Sequence, residues 1–309
     1  MINGILHLLL KMMKKIVVIL WLLSLVHWSI AQSKEVAITI DDVPNTKRVA
    51  GHEFSSNLLS IINFLELPVT IFINEKNIYT NQFHADNKQC LAKWLKSPHI
   101  TAGNHSYSHL NYSDTTFDAF TEDVEKGSLI TKEILKSKPG YFRFPYNSMG
   151  KDSVAHHQIK EYLKSSGYVN TPFTIESEDW VFNTAYEEAL KKGDGEKAEK
   201  IARAYITYTI SLFEYFERLC KQVYGRNVSH IYLCHDNQLN AYYLTDLLSA
   251  LSKAGYKFIR LDDALKDKIY QSKDYYTGPF GFSWIYRWQK DEAERKDLMK
   301  AEPVHDSLN

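Results

Sequence analysis

Cysteine is scarce in this sequence of 309 residues, which contains Cys90, Cys220 and Cys234. The odd number excludes a fully paired disulfide framework within one chain, and the spacing matches no zinc module. We therefore expect buried free thiols. An excess of one charge sign is also lacking, since Lys plus Arg and Asp plus Glu both number 37. Without a basic field to hold a phosphate backbone, nucleic acid is not expected as a partner.

Internal repeats, low-complexity blocks and linkers rich in Pro, Gly or Ser are absent from the sequence as well. Nothing therefore divides the chain into two domains, and its length suits one large α/β domain. We predict a folded domain over residues 32–288, a targeting segment before it, and a charged surface tail over residues 289–309. The sequence does not indicate whether the protein is a monomer or an oligomer.

The N-terminus has the pattern of a secretory signal peptide. Lysines precede the apolar run Ile16–Leu25, and Ser29–Ala31 has the small-x-small form of a cleavage site. An uncleaved anchor is the alternative, but the run is short for a membrane span of about 20 residues. We predict a signal peptide over residues 1–31, a secreted or periplasmic protein, and no stable membrane insertion after cleavage. Translation from Met12 or Met13 stays open.

Short apolar runs alternate with longer amphipathic stretches after the predicted cleavage site. This alternation predicts parallel strands with helices outside, as a distorted barrel or as an open doubly wound sheet. The predicted strands are Val36–Ile40, Val69–Ile73, His99–Ala102, Tyr141–Phe144, Tyr168–Ile175, His230–Leu233 and Lys257–Ile259. The predicted helices are Glu53–Leu65, Ala85–Leu95, Phe117–Leu135, Ser153–Ser165 and Ala241–Ala254.

A further stretch, Thr184–Val223, is rich in Ala, Glu, Lys, Leu and Tyr and is interrupted by Gly193–Gly195. It predicts two consecutive helices inserted between the fifth and sixth strands. Part of this insertion either borders a functional cleft or covers the outside of the barrel, and the sequence favours neither.

Polar side chains follow the predicted strands where β/α barrels place their active sites. Asp41 and Asp42 end a buried strand, where carboxylates are costly unless a cation compensates them, although such a pair can also cap a turn or helix. If the strand stays extended, the two carboxylates point to opposite sides. His105 and His109 lie four residues apart on one side of a helical turn, which suits two imidazole ligands of a metal.

Later strands end in further polar groups. Arg143 can orient a carboxylate by a bidentate contact, although an ordinary surface Arg is the simpler interpretation. Asp179 and Trp180, with Leu233 and His235, can form an acid site with an apolar wall. A buried structural histidine is the alternative for His235 in isolation.

Together these signals form five motifs in chain order: Asp41-Asp42, His105-x-x-x-His109, Arg143-x-Pro145-Tyr146, Asp179-Trp180 and Leu233-x-His235. Their order and spacing resemble the polysaccharide deacetylases, also called the NodB-like family or carbohydrate esterase family 4. The resemblance covers Val36–Leu265. It implies an α/β fold, a distorted (β/α)7-type barrel with a helical insertion at about 184–223 between strands 5 and 6.

The resemblance also implies an enzyme that binds one divalent metal, with zinc as the expected ion and Asp42, His105 and His109 as its ligands. Such an enzyme removes N-acetyl groups from an acetylated glycan, of peptidoglycan or chitin type, by hydrolysing a linear amide. An O-acetyl esterase acting on a glycan such as acetylxylan is the alternative within the enzyme class. A catalytically silent glycan-binding protein is the alternative outside it.

Roles for the remaining motif residues follow from the same resemblance. Asp41 corresponds to the base that deprotonates water, and Arg143 orients it. His235 corresponds to the acid that protonates the leaving amine, and Asp179 tunes it. The residues implied in substrate binding are Tyr146 through its backbone amide, and Trp180 and Leu233 beside the acetyl methyl.

The chain departs from the usual family pattern in three places. Val43-Pro44 stands where Gly-Pro commonly follows the paired aspartates, Glu176 stands where the fourth motif often begins with Asp, and the insertion is longer than in compact members. Each departure affects the cleft that is expected around the site, so the sequence leaves the substrate open. Phe72–Glu75 and Gly278–Trp284 look like a bacterial branch of the family.

Overall fold

The computed structural model of the protein describes residues 33–49 and 52–305. The predicted signal peptide, residues 1–31, lies outside the described residues. The strands of the described part are β1 (Lys34–Val43), β2 (Arg48–Val49), β3 (His52–Glu53), β4 (Val69–Ile73), β5 (Ile100–Asn104), β6 (Tyr141–Phe142), β7 (Val169–Asn170), β8 (Ile175–Glu176), β9 (Ser229–His235) and β10 (Tyr256–Phe258). β2 and β3 form a small antiparallel ribbon that was not predicted, and the other strands form one parallel sheet.

The parallel sheet curls into an incomplete barrel. Its strands are ordered β7-β6-β5-β4-β1-β9-β8, and β10 also pairs with β1. In an uncurled sheet, six steps of about 4.8 Å would separate the edge strands β7 and β8 by about 29 Å. Residues 171–174 alone connect these two strands, and such a connection spans at most about 18 Å. The sheet therefore bends round on itself, which confirms the distorted barrel and excludes the open sheet.

The predicted fifth strand, Tyr168–Ile175, is two short strands. The amide of Thr171 donates to β6 (2.8 Å), whereas the amide of Thr174 donates to β9 (2.9 Å). Pro172 lies between them and has no amide hydrogen, so pairing cannot run continuously through this position. The chain changes partners here, and the barrel is open at the same point.

Helices surround the sheet. They are α1 (Ser55–Phe64), α2 (His84–Lys96), α3 (Phe117–Lys126), α4 (Leu129–Leu135), α5 (Ser153–Ser165), α6 (Asp179–Lys191), α7 (Gly195–Tyr224), α8 (Gln238–Lys253), α9 (Leu261–Ala264), α10 (Trp284–Arg287) and α11 (Glu292–Lys300). Short 3-10 turns occur at Glu75–Tyr79, Tyr112–Asp114, Pro145–Asn147 and Lys268–Gln271.

One predicted helix, Phe117–Leu135, is broken into α3 and α4 at Gly127. A Cβ at Gly127 would lie 2.5 Å from the carbonyl carbon of Ser106 and 2.6 Å from the amide nitrogen of Tyr107. Only glycine allows this close approach between the helix end and a loop after β5. The helix end at Gly127 therefore packs directly against the loop that carries the two predicted histidine ligands.

The predicted insertion between the fifth and sixth strands consists of α6 and α7. Gly193, with φ +73°, separates the two helices as predicted. The first helix begins at Asp179 rather than Thr184, so two motif residues lie in its first turn. The long helix α7 buries one face, including Tyr205 and Phe216, against the body of the barrel. This burial explains why a 30-residue helix with many charges keeps a strong apolar stripe.

The C-terminal segment is more than a surface tail. Helix α11 packs against the barrel, and the Tyr215 hydroxyl donates to the carbonyl of Leu298 (2.6 Å). Beyond the helix, the Tyr286 hydroxyl donates to Glu302 (2.7 Å), and His305 pairs with a carboxylate before α6. The described helices include none that is long and apolar enough to cross a membrane.

Candidate active site

The predicted motifs meet at one edge of the barrel. β1 ends at Asp41–Val43, and β9, which runs parallel to it, ends at His235. His105 directly follows β5 and begins a loop in which His109 has a positive φ, so the predicted helical turn for the two histidines is wrong. Arg143 directly follows β6. Because the carboxyl ends of parallel strands share one edge, these side chains converge, as expected for a β/α barrel site. The structure places all the predicted site residues within this one region, while their roles stay predictions.

Three potential metal ligands face one another. His109 Nε2 lies 3.6 Å from Asp42 Oδ1, and His105 Nε2 lies 3.9 Å from the same oxygen. The three ligand atoms all lie within 4.8 Å of one another, the one such cluster found in the described residues. In a tetrahedral zinc site the ligand atoms are about 3.4 Å apart, so a small contraction would suffice to hold a metal.

The protonation of His105 suits a ligand. Its Nδ1 lies 2.8 Å from the carbonyl oxygen of Arg143, which can only accept a hydrogen bond. Nδ1 therefore carries the proton, and Nε2 presents a lone pair to the cluster. Burial, followed by the neighbouring His109, lowers the pKa of His105 to about 3. The neutral ring is the form that binds metals, so the donor set fits a divalent ion.

The end of β1 departs from an extended strand. Asp42 has φ +65°, and the register between β1 and β4 shifts between Ile40 and Val43. Asp41 Oδ2 consequently lies 3.7 Å from His105 Nε2, so both carboxylates face the same cluster. Opposite directions were expected only if the strand stayed extended, and that condition is not met, because the bulge turns Asp42 back towards the site.

Arg143 and Asp41 form a buried ion pair. Nη1 of Arg143 donates to Asp41 Oδ1 at 2.8 Å and to the hydroxyl of Thr39 at 2.7 Å. The guanidinium is fully buried and lies over the ring of Phe72, 4.3 Å from its centroid. Arg143 therefore contacts Asp41 as predicted, but through one hydrogen bond rather than a bidentate pair, since Nε and Nη2 donate to the carbonyls of Thr171 and Pro172. The other oxygen of this carboxylate, Oδ2, faces the cluster of potential metal ligands.

His235 forms the second charged pair. Its Nδ1 lies 2.6 Å from Asp179 Oδ1, and its backbone amide donates to Asp179 Oδ2 at 2.9 Å. Burial alone would lower the pKa of His235, but the charge and hydrogen bond of Asp179 raise it to about 10. Asn237 and Asn240 also donate to Asp179, at 2.7 and 2.6 Å. Sequence reasoning missed both asparagines, although Asn237 precedes α8 at a typical cap position.

A cavity of about 750 Å³ connects these groups. Tyr146 and Trp180 stand at its mouth with 60% and 56% of their surface exposed, while Leu233 is buried in its wall. Arg143 and Asp179 lie behind the wall, where they contact the lining residues Asp41 and His235. Glu176, which the sequence placed at the start of the fourth motif, also lines the cavity. Further lining residues, not indicated as such by the sequence, are Phe216, Phe282 and Glu302.

Two further carboxyl groups line the cavity. Burial, and then the charge of Asp179, raise the pKa of Glu176 to about 8. Burial likewise raises the pKa of Glu302 to about 7. Glu302 belongs to the C-terminal segment and Phe216 to α7, so both the insertion and the chain end border the cavity. No sequence pattern signals these contacts, since they depend on how distant segments pack.

The comparisons with known proteins agree with the fold. The family model described as Polysaccharide deacetylase matches residues 30–170. A curated relative, the peptidoglycan-N-acetylglucosamine deacetylase of Bacillus cereus, is 23% identical over 146 residues. That alignment covers 47% of this chain and 46% of the relative, so this chain spans less than half of the relative's length.

Two solved structures share the architecture. The catalytic domain of peptidoglycan N-acetylglucosamine deacetylase from Eubacterium rectale has a TM-score of 0.50 at 20% identity, with 74% of this chain and 88% of that chain covered. A CE4 family pseudoenzyme from Bacillus anthracis has a TM-score of 0.51 at 15% identity, with 76% and 66% covered. At these identities the likeness establishes the fold alone, and the site geometry must carry any statement about chemistry.

Proposed function

We propose that this chain, whose residues 30–170 match the polysaccharide deacetylase family model, is a metal-dependent hydrolase that removes N-acetyl groups from a glycan. One observation carries the proposal. A ligand cluster of Asp42, His105 and His109 lies beside a carboxylate paired with Arg143 and a histidine paired with Asp179. A glycan-binding protein without activity could use the ligand cluster to bind a metal, but it would not need a base and an acid next to that cluster.

The metal has a defined place and a defined contribution. Asp42, His105 and His109 would hold it, and zinc suits one carboxylate with two imidazoles and an open position. When bound, the ion supplies Lewis acidity to the acetyl carbonyl and makes water easier to deprotonate. The roles of the surrounding side chains follow from where their atoms lie.

Asp41 and His235 would act on the two protons of the reaction. Asp41, held by Arg143, accepts a proton from the attacking water, since its free oxygen faces the ligand cluster. His235, held by Asp179, delivers a proton to the leaving nitrogen. The C–N bond breaks, a C–O bond forms, and amide plus water give the protonated amine plus acetate.

Substrate contacts complete the proposal. The backbone amide of Tyr146 would donate to the oxyanion. Trp180 and Leu233 line the same cavity and would flank the acetyl methyl. An amide nitrogen leaves poorly without protonation, so a histidine kept protonated by Asp179 favours N-acetyl over O-acetyl substrates. The curated relative is named for N-acetylglucosamine in peptidoglycan, which supports the same choice.

Acetate release tests the proposal directly. The purified protein, with and without added zinc, is incubated with N-acetylglucosamine oligomers, peptidoglycan and acetylxylan. We expect zinc-dependent acetate from an N-acetyl substrate, released roughly 10²–10⁴-fold more slowly by the Asp41→Asn variant. Acetate from acetylxylan alone would indicate an esterase. Glycan binding without acetate release from any substrate would indicate a silent binding protein.

We also propose that the protein acts outside the cytoplasm, as a secreted or periplasmic enzyme. The basic, apolar and small-residue pattern before Gln32 supports this proposal. Glycans of the cell wall are found in that compartment, so the location and the proposed substrate agree.

A further inference from the structure

Four hydrogen bonds converge on the carboxylate of Asp179. Oδ1 receives the ring of His235, and Oδ2 receives the backbone amide of His235 together with the side-chain amides of Asn237 and Asn240. Asp179 itself is fully buried. A buried carboxylate keeps one orientation only if its donors keep theirs, so the donors set the geometry of the His235 ring.

Asn240 is the donor whose orientation needs support. Its amide nitrogen donates both to Asp179 Oδ2 (2.6 Å) and to the carbonyl of His235 (3.0 Å). If the carboxamide were flipped, its oxygen would face the oxygens of Asp179 and of that carbonyl. The hydroxyl of Tyr205 donates to Asn240 Oδ1 at 2.9 Å and thereby anchors the carboxamide in the orientation that these two acceptors require.

The supporting hydroxyl comes from the inserted helix. Tyr205 lies on α7, and both it and Asn240 are fully buried. Its oxygen also lies 3.0 Å from the hydroxyl of Tyr232, which lies 2.6 Å from the hydroxyl of Ser177. Burial, reinforced by the neighbouring Tyr232, raises the pKa of Tyr205 well above its usual range, so the hydroxyl stays a donor.

We propose that Tyr205 is a positioning residue for the acid, acting through Asn240 on Asp179 and hence on His235. The inference rests on the proposed function, because it assigns a purpose to a network behind the proposed acid. It gives the insertion a part in the reaction that neither covering the barrel nor bordering the cleft supplies. The residues of the network touch no metal ligand in the described contacts.

The activity test uses Tyr205→Phe, which removes one hydroxyl and keeps the ring. We expect the turnover number for an N-acetyl substrate to fall about tenfold or more, a part of what a general acid contributes. The KM and the zinc content should stay unchanged. Turnover of an activated acetyl ester should change little, since its leaving group needs no proton. Loss on both substrates alike would indicate general damage and overturn the proposal.

Tyr208→Phe is the matched control. It removes a hydroxyl from the same helix, one that donates to the carbonyl of Pro303 (3.3 Å) and not to the network. We expect its ratio of amide to ester turnover to equal that of the wild type. If Tyr208→Phe shifts this ratio as strongly as Tyr205→Phe, the effect belongs to the helix and the proposal is wrong.

A spectroscopic test separates this proposal from the proposed function. A ring proton held between His235 and Asp179 at 2.6 Å should give a downfield proton resonance, identified by its absence in His235→Gln. In Tyr205→Phe this resonance should shift upfield or disappear, and in Tyr208→Phe it should remain. An unchanged resonance in Tyr205→Phe overturns the inference even if the enzyme is active. The test also stands if no acetate is released at all, and Asn240→Leu provides the same readout should Tyr205→Phe fail to fold.

Discussion

Asp41 and Asp42 are adjacent in sequence and differ in what holds them. Asp41 is almost fully buried and ion-paired with Arg143, whereas Asp42 is part-exposed and faces His105 and His109. A backbone bulge, not strand alternation, brings both carboxylates to one side. The residues that each carboxylate contacts therefore indicate its role better than the alternation of side chains along the strand.

This difference predicts separable losses. Asp41→Asn should reduce turnover by roughly 10²–10⁴-fold, the usual effect of removing a general base, and should keep its zinc. Asp42→Ala and His105→Ala should lose most of the bound metal, since each removes one of three ligands. Metal analysis beside acetate-release rates provides the measurement. Near-normal turnover in zinc-loaded Asp41→Asn, or full zinc occupancy in His105→Ala, would contradict the assignment.

The pair of His235 and Asp179 predicts a change in pH dependence. An acid works only while protonated, and Asp179 raises the pKa of His235 to about 10 against the effect of burial. Asp42 and Asp41 contribute smaller parts of this rise in the pKa, and a bound metal ion would offset their contribution. In Asp179→Asn the burial remains and the main raising charge is gone, so the pKa should fall and the alkaline limb of turnover should move to lower pH.

The measurement is the turnover number for an N-acetyl substrate as a function of pH in both proteins, each with its zinc content determined. His235→Gln is the control, and it should lack the limb that Asp179→Asn displaces. An alkaline limb at the same pH in wild type and Asp179→Asn would exclude His235 as the titrating acid.

The sequence predicted the site residues because they occupy short motifs at strand ends, where position along the chain implies position in the barrel. Asn240, Tyr205 and Glu302 were not predicted as site residues. Their contacts depend on how helices and the chain end pack around the barrel, and no local spacing encodes that packing. Residues that contact the reacting groups were thus more predictable than the residues behind them.

At the scale of elements, the main strands and helices were predictable because each has a strong apolar pattern. The errors have local causes. Pro172 interrupts the predicted fifth strand, Gly127 breaks a predicted helix, and β2 with β3 are too short for a periodic signal. The alternation of strand and helix patterns also did not distinguish a barrel from an open sheet, because that choice depends on which strands pair with one another.

Gly281 predicts an effect of one element on another. It packs against the turn Pro145–Asn147, in which Tyr146 and Asn147 both have positive φ, and a Cβ there would lie far closer than 3.0 Å to the Tyr146 carbonyl oxygen. Gly281→Ala should therefore displace the turn that carries the proposed oxyanion donor. We expect turnover to fall by about 10- to 100-fold, as for a misplacement near 1 Å, with zinc retained.

Gly140→Ala is the matched control, since a Cβ at Gly140 meets nothing within 4 Å and its φ is not positive. Its turnover should equal that of the wild type. Turnover and KM, measured with zinc content for both variants, decide the question. Unchanged turnover in Gly281→Ala would show that the turn is not held by this contact.

At the scale of the whole molecule, the proposed export by a signal peptide predicts which residue begins the mature protein. The pattern before Gln32 is that of a signal peptide, and the central strand β1 begins soon afterwards, at Lys34. Cleavage after Ala31 would leave this strand complete. N-terminal sequencing of protein secreted by an expressing cell should start at Gln32 or within a few residues. A cytoplasmic protein that retains residues 11–31 would refute the signal peptide.

The chain end predicts an effect on both stability and binding. Residues 302–305 return to the site: Glu302 lines the cavity and accepts from Tyr286, and His305 packs on Phe182 and pairs with Glu178, next to Asp179. A truncation after Ala301 removes these contacts and opens one wall of the cavity. We expect a KM at least several-fold higher, unchanged zinc content, and a melting temperature lower by about 2–4 °C for each kcal/mol lost.

Lys296→Ala is the control for this truncation. It removes a side chain of α11 that is exposed and paired with Glu292 on the same helix, and exposed ion pairs contribute little to stability. Its KM and melting temperature should stay close to wild type, because the cavity wall is intact. If the truncated protein melts at a lower temperature with an unchanged KM, the chain end stabilises the barrel without bordering the bound substrate. If the KM and the melting temperature of the truncated protein both equal those of the wild type, the contacts of residues 302–305 contribute neither to substrate binding nor to stability.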